Sequence, residues 1–497
     1  SCEKIKNKKQ AYLIQYLEAL NTLFLKGSDP IGNYYAAATA VQLLDRKDFI
    51  YHHADILDYP DFLGRSYLFD SWNSTEKMKD DISSIQRMSL YKLNKAYVGY
   101  GQTRGRRDWY APDDLYRTGV RKAGQVCRNT GVMDLAIMIN PYYHFDYEMK
   151  VQKMSKELRY TWRHGNPKDM QTLKNVFKIG LDVGAKCIML MGDDFVPHES
   201  DYRKIYSLWT PEDKAQFITL QNAQAFMINE LYTWLTQNYK GTRFEFCPPW
   251  YLNEFIDKSR GRAEQYFEDL ILQIPDNVAV IWTGNTVRSL SYDMADIERY
   301  RKLIGRYPML WDNTLYARGL TGNYGGYARY YPGKVRMCNL FEPMDLFLPN
   351  DFYKYNHGAH MYTNGSAFTE TYKIKYTTVA DFEWNNNEYN ADFSLWKALL
   401  SQFGKDLALK LLKFNDAYYG LVDMCLRIEK TDNDQEFIKR GLSFIEDLKS
   451  HFNAIDRSLP DNRKLVFELK GHMDGQISVY NKLASGKKEP QEGKPQI

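Results

Sequence analysis

Cysteine is the first thing this sequence withholds. Its six cysteines (Cys2, Cys127, Cys187, Cys247, Cys338 and Cys425) contain no CxxC pair and no metal-ligand spacing, so neither a disulfide framework nor a zinc site is readable. Cys187 and Cys247 fall inside apolar runs and read as buried thiols. No apolar stretch reaches the length of a membrane-spanning helix. An excess of one charge is missing too: 66 Lys+Arg against 62 Asp+Glu leave a net charge of +4. That balance excludes the strongly basic character of a nucleic-acid or anionic-surface binder. No internal repeat is visible beyond an alternation of element types. What the chain has in plenty is aromatic: 39 Tyr, 25 Phe and 10 Trp. Such rings stack on sugars and on bases, and they also fill ordinary cores.

The 497 residues suffice for a large core and more than one domain. Residues 5–47 read as helices, from the apolar spacing of "AYLIQYLEALNTLFL" and "YAAATAVQLL". Short apolar runs then recur, each ending in polar, Gly or Pro residues: "FLGRSYLFDSW", "KAYVGYG", "LAIMINP", "CIMLMGDD", "FEFCPPWY", "VAVIWTG", "PMLWDN" and "HMYTNG". Helical patterns separate most of them. Eight strands alternating with helices predict an α/β fold, a parallel (β/α)8 barrel whose site is built at the C-terminal strand ends. After about residue 392 the strands stop, and amphipathic patterns predict a C-terminal helical bundle. The expected organisation is an N-terminal helical segment over 1–55, a barrel over 56–392, a helical domain over 393–485 and a disordered tail over 486–497.

One run ends in two adjacent acids, Asp193 and Asp194. Neighbouring side chains on a strand face opposite ways, so both reach one pocket only if the chain turns. Gly192 is a candidate for permitting that turn. Two carboxylates in one partly dry site have their pKa values pushed apart, which suits one acid and one base. An adjacent pair is unusual for direct displacement at a glycosidic bond, where the carboxylates flank it. It suits substrate assistance, in which the sugar's own 2-acetamido oxygen attacks. One carboxylate then polarises the amide N–H, and the other protonates the leaving oxygen and later activates water.

With those residues in view, "CIMLMGDDF" resembles the catalytic strand of the β-N-acetylglucosaminidases of glycoside hydrolase family 84, which include protein O-GlcNAcases and bacterial hyaluronidase-like enzymes. Further motifs follow in family order over roughly residues 60–395. "FCPPWY" resembles the strand whose tyrosine closes the acetamido pocket, implying Tyr251. "VIWTGNTV" resembles WTGPxV, implying Thr283 and Val287. "LWDN" resembles WDN, implying Trp311 and Asn313. "YTNGSAFTETYKIKYTTVADFEWN" resembles the segment that implies Asn364. The resemblance implies a retaining hydrolase of β-linked N-acetylhexosamine without cofactor or metal. Asp194 would be the acid/base and Asp193 the polarising group.

The departures are as informative. "GRSYLFDSW" replaces the family's GFYG-like turn. "YVGYGQTRGRRDW" lacks the lysine of YAPKDD, though Arg104, Arg106 and Arg107 follow. Arg318 stands, by spacing, where the family has an aspartate that grips sugar hydroxyls. Arg binds carboxylate or sulfate bidentately, so the expected sugar is a substituted, anionic or galacto-configured relative of GlcNAc. A surface loop would account for Arg318 equally. Trp311 and Tyr251, each taken alone, read as core. His198, near the acid pair, keeps a metal-dependent hydrolase open, and the lost contacts keep open a non-catalytic glycan binder on a decayed scaffold. The expected partner is an N-acetylhexosamine-containing glycan or glycoconjugate. Cys2 before "EKIKNKKQ" resembles the start of a mature bacterial lipoprotein and fits an incidental cysteine as well. On the first reading the bacterial protein lies in the cell envelope or is secreted, touching membrane only through a lipid on Cys2.

Overall fold

The computed structural model describes residues 2–45, 50–51, 55–69, 72, 74–99, 109–144, 162–193, 209–289, 291–314, 340–341, 343–344, 346, 348, 360–365, 370–431 and 434–486. The chain divides into two compact units. One comprises 1–313, 346–364 and 380–388; the other comprises 314–345, 365–379 and 389–497. Among the described residues no helix is long and apolar enough to cross a membrane.

The N-terminal segment departs from the all-helical expectation. Tyr12–Leu17 (β1) and Thr22–Gly27 (β2) form an antiparallel hairpin, with Tyr12 opposite Gly27 and Leu17 opposite Thr22. Asn21 supplies the left-handed turn residue, at φ 43°. Leu44–Asp45 (β3) pairs with Ile50–Tyr51 (β4), and Ile56–Asp58 (β5) adds to the free side of β1. The first half of β1, Tyr12 to Ile14, is buried on both faces. Tyr12 and Ile14 pack with Tyr35, Ala36 and Trp384, while Leu13 packs with Ile5 and Ala11. A strand buried on both faces loses its polar alternation, which is why this stretch reads as a helix. The second half of the expectation holds: "YAAATAVQLL" lies largely in a helix over Pro30–Leu43, capped by Asp29.

All eight apolar runs become barrel strands: Gly64–Phe69 (β6), Lys95–Gly99 (β7), Asp134–Ile139 (β8), Cys187–Met191 (β9), Arg243–Cys247 (β10), Ala279–Trp282 (β11), Met309–Asp312 (β12) and His360–Thr363 (β13). They are parallel and pair in sequence order, and β13 closes on β6 with His360 opposite Gly64. The (β/α)8 barrel expected from the run spacing is therefore present. The second unit is helical over Ala391–Phe403, Lys405–Lys430, Gln435–Ser458 and Arg463–Ala484. Its core includes Leu411, Leu421, Leu448 and Leu469. Residues 487–497, most of the tail expected to be disordered, lie outside the described residues.

Polar residues at the strand N-termini make a charged floor inside the barrel. Glu245 Oε1 accepts from Lys95 Nζ at 3.1 Å and Arg243 Nε at 2.7 Å, and Oε2 accepts from Tyr97 Oη at 2.6 Å. Burial alone would push the Glu245 carboxyl up. The charges of Lys95 and Arg243, with these hydrogen bonds, outweigh burial and hold it below the ordinary glutamate value. Burial first, then Lys95, Arg243 and Arg65, hold His360 well below the usual histidine range, so it stays neutral beside Lys95. Above this floor, Tyr97 meets Tyr362 edge-on at 4.6 Å, and Tyr362 packs on Trp311 at 4.2 Å.

Glu245→Ala would leave the buried Lys95 and the half-buried Arg243 without their shared carboxylate. We expect a loss of about 3–5 kcal/mol in unfolding free energy, measured by denaturant titration at neutral pH. The folded-state carboxyl titrates below the unfolded one. Its stabilisation is therefore present above the unfolded glutamate value and is lost as pH falls through the folded value. The penalty for Glu245→Ala should accordingly shrink in acid.

Candidate active site

Strand parity assembles the site. A side chain on a strand returns to the same face every second residue. On β13, His360 and Tyr362 point into the barrel, so Asn364 follows them at the C-terminal rim. On β12, Trp311 points inward and Asn313 follows. On β9, Cys187 faces Glu245, so Asp193 shares its inward parity. On β8, Met138 receives the Tyr362 hydroxyl, so Asn140 shares that parity. These rim positions sit opposite the charged floor, where a (β/α)8 barrel builds its chemistry.

The structure joins four of the expected residues directly. Asn313 Oδ1 accepts from Trp311 Nε1 at 2.7 Å and from Asn364 Nδ2 at 2.9 Å. Asn313 Nδ2 donates to Val287 O at 2.8 Å. The Asn364 main-chain N–H reaches Asp312 O at 2.8 Å, continuing the ladder past the last strand residue. Asn364 Oδ1 is buried and has no hydrogen-bond partner among the described residues. A buried amide oxygen left so costs about 1–3 kcal/mol, which a ligand hydroxyl or amide donor at the rim would recover.

Tyr251 and Thr283 form a second group. The Thr283 N–H donates to Tyr251 O at 2.9 Å, and Thr283 Oγ1 donates to Thr286 O at 3.0 Å, which pins the turn carrying Val287. Gly284 makes that turn at φ +94°; a Cβ there would come within 2.3 Å of Ser289 Oγ. Tyr251 and Thr283 are both buried, and Val287 is half-buried.

Asp193 is half-buried at the end of β9. Asn140 Nδ2 donates to its Oδ1 at 2.9 Å. Gly192 lies outside the left-handed region. Its N–H donates to Cys247 O at 2.7 Å, and a Cβ would stand 3.0 Å from Gln224 Nε2 and 3.2 Å from that carbonyl. Close approach favours glycine there, since any Cβ would have to push Gln224 and the Cys247 carbonyl back by a few tenths of an ångström. Asp194, His198, Arg318 and the arginines of 104–107 lie outside the described residues. Among the described residues no three His, Cys, Asp or Glu side chains are grouped to hold a metal ion. Asn140 is the site residue that sequence reasoning missed. The only signal for it was the polar ending of "LAIMINP".

Fold and rim together define a (β/α)8-barrel protein with Asp193 and an amide-rich cluster at the C-terminal strand ends. Residues 133–316 match the family model described as beta-N-acetylglucosaminidase. The curated Protein O-GlcNAcase of Rattus norvegicus is 29% identical over 148 residues, which is 30% of this chain and 15% of that protein. Its Mus musculus counterpart is 28% identical over 148 residues, with the same coverage. The aligned part is thus a small fraction of those relatives' length. The solved structure of CpGH84B superposes with a TM-score of 0.65 at 17% identity, covering 96% of this chain and 78% of that one. A mutant of the Thermobaculum terrenum O-GlcNAc hydrolase superposes at 0.59, also at 17% identity, covering 85% and 83%. The chain is similar to the glycoside hydrolase family 84 type of β-N-acetylglucosaminidase, in sequence across the barrel's centre and in fold over almost its whole length.

Asn313→Ala should test the rim. It strips the acceptor from two buried donors and the donor from Val287 O, and each group left unpaired costs about 1–3 kcal/mol. We expect a midpoint shift in urea unfolding with little change in the m-value.

Proposed function

We propose that the protein is a retaining glycoside hydrolase that removes β-linked N-acetylhexosamine by substrate-assisted catalysis. The observation that carries this reading is Asp193, held at the end of β9 by Asn140 on the same rim as the Trp311–Asn313–Asn364 amide cluster. In the proposed reaction Asp193 polarises the acetamido N–H while the acetamido oxygen attacks the anomeric carbon. Asp194 protonates the leaving oxygen, then activates water to open the oxazoline. Tyr251, Thr283, Val287, Trp311, Asn313 and Asn364 bind the sugar. The similarity to proteins named O-GlcNAcase and O-GlcNAc hydrolase supports a GlcNAc-like glycoconjugate as substrate.

The finer reading is a substituted, anionic or galacto-configured sugar contacted by Arg318. It rests on the missing lysine and on the arginine in place of an aspartate. The cell-envelope setting drawn from Cys2 belongs to the same proposal. Partition of the native protein with membranes, abolished by Cys2→Ser, would support it; a fully soluble native protein would overturn it.

The decisive assay is turnover of aryl N-acetyl-β-glucosaminides in the presence of a chelator. Hydrolysis with retention at the anomeric carbon, unaffected by chelation, is the expected result. Chelator-sensitive turnover would favour the metal-dependent reading, and tight glycan binding without turnover the decayed scaffold. Asp194→Asn should cost about 10²–10⁴-fold on poor leaving groups and markedly less on an acidic phenol, because general acid catalysis matters less there. Equal losses on both would count against Asp194 as the acid.

A further inference from the structure

Asn140 belongs to none of the motifs above, yet its side chain is among the most constrained at the rim. It is 1% exposed. The Tyr142 main-chain N–H donates to Asn140 Oδ1 at 2.9 Å. That bond decides which end of the amide is which. With its oxygen committed to Tyr142, the NH2 group must face β9. There it donates to Asp193 Oδ1 at 2.9 Å and reaches the Asp193 main-chain oxygen at 3.4 Å. The opposite flip would set an amide oxygen against a carboxylate and an NH2 against an N–H.

The bracket is itself braced from behind. Tyr142 Oη lies 3.0 Å from His164 Nε2 and accepts from Gln224 Nε2 at 3.1 Å. Asp213 accepts from the main-chain N–H groups of His164 and Gly165, at 2.9 and 3.0 Å. Gln224 is also the side chain that a Cβ on Gly192 would crowd. One buried polar network therefore sets both the residue that grips Asp193 and the backbone that delivers it.

We propose that Asn140 is a positioning residue: its amide sets the plane of the Asp193 carboxylate against the substrate's acetamido N–H. The inference rests on the substrate-assisted reading above. A hydrogen bond to Oδ1 from a donor that is itself fixed by Tyr142 restricts how the Asp193 carboxylate turns. A misplacement of about 1 Å in a reacting group costs on the order of 10²-fold.

The test compares wild type with Asn140→Asp and Asn140→Ala. The Asp variant is nearly isosteric and keeps an acceptor for the Tyr142 N–H while removing the donor to Asp193, so the fold should persist. The Ala variant removes both. In Asn140→Asp, kcat should fall by roughly 10–100-fold with KM nearly unchanged. The loss should be equal on good and poor leaving groups, because assistance to the acetamide is needed for both. Affinity for a thiazoline mimic of the bicyclic intermediate should fall in parallel, while the free sugar product binds as before. An unchanged kcat, a rise in KM alone, or a loss confined to poor leaving groups would overturn the assignment. Crystal structures of wild type and Asn140→Asp give a readout independent of turnover. A rotated Asp193 carboxylate supports the positioning role and an unmoved one overturns it, even if wild type hydrolyses nothing. Failure of wild type to hydrolyse any N-acetylhexosaminide would count against the hydrolase reading instead.

Discussion

A side chain in a closed parallel barrel comes back to the interior every second residue, one layer nearer the C-terminal end. That constraint organises the first unit. Lys95, Arg243 and His360 enter at the strand starts and form the floor around Glu245. Two residues further, Tyr97 and Tyr362 form an aromatic layer, joined by Trp311 from β12. Two further again, Asn313 and Asn364 stand at the rim, with Asn140 and Asp193 at the matching ends of β8 and β9. Shifting any of these strands by one residue would turn its whole inward set outward.

The floor and the rim solve the same problem in different currencies. At the floor, one carboxylate is shared by two cations and a phenol, so the buried carboxylate is hydrogen-bonded on both oxygens within the protein. At the rim, neutral amides meet one another and the main chain, and Asn364 Oδ1 has no partner among the described residues. A carboxylate hydrogen-bonded on both oxygens suits a structural part. A rim with a buried acceptor to spare suits a part that awaits a ligand.

At the rim, Asp193 is hydrogen-bonded by Asn140. Gly192 is narrow because Gln224 and Cys247 approach it, and Asn140 is oriented because Tyr142 claims its oxygen.

Much of this was legible in the residues alone. The eight strands were readable because each is a short apolar run that breaks at a polar end, and the helices between them keep a 3.6-residue period. The acid pair was readable because two adjacent carboxylates at such an end demand a reason. The motifs around Tyr251, Thr283, Trp311, Asn313 and Asn364 were readable through a resemblance, since spacing alone does not separate a rim tryptophan from a core one. Tertiary structure decided the rest. Tyr12–Leu17 became a strand because partners at Thr22–Gly27 and Ile56–Asp58 lie on both its edges and apolar neighbours on both its faces, whereas its own pattern satisfies either period. Glu245 became a floor residue only when closure brought β7 opposite β10. Asn140 acquired a role only when β8 and β9 paired and the Tyr142 N–H took its oxygen, because a side chain's partner across a barrel is set by register and closure, which no local stretch encodes.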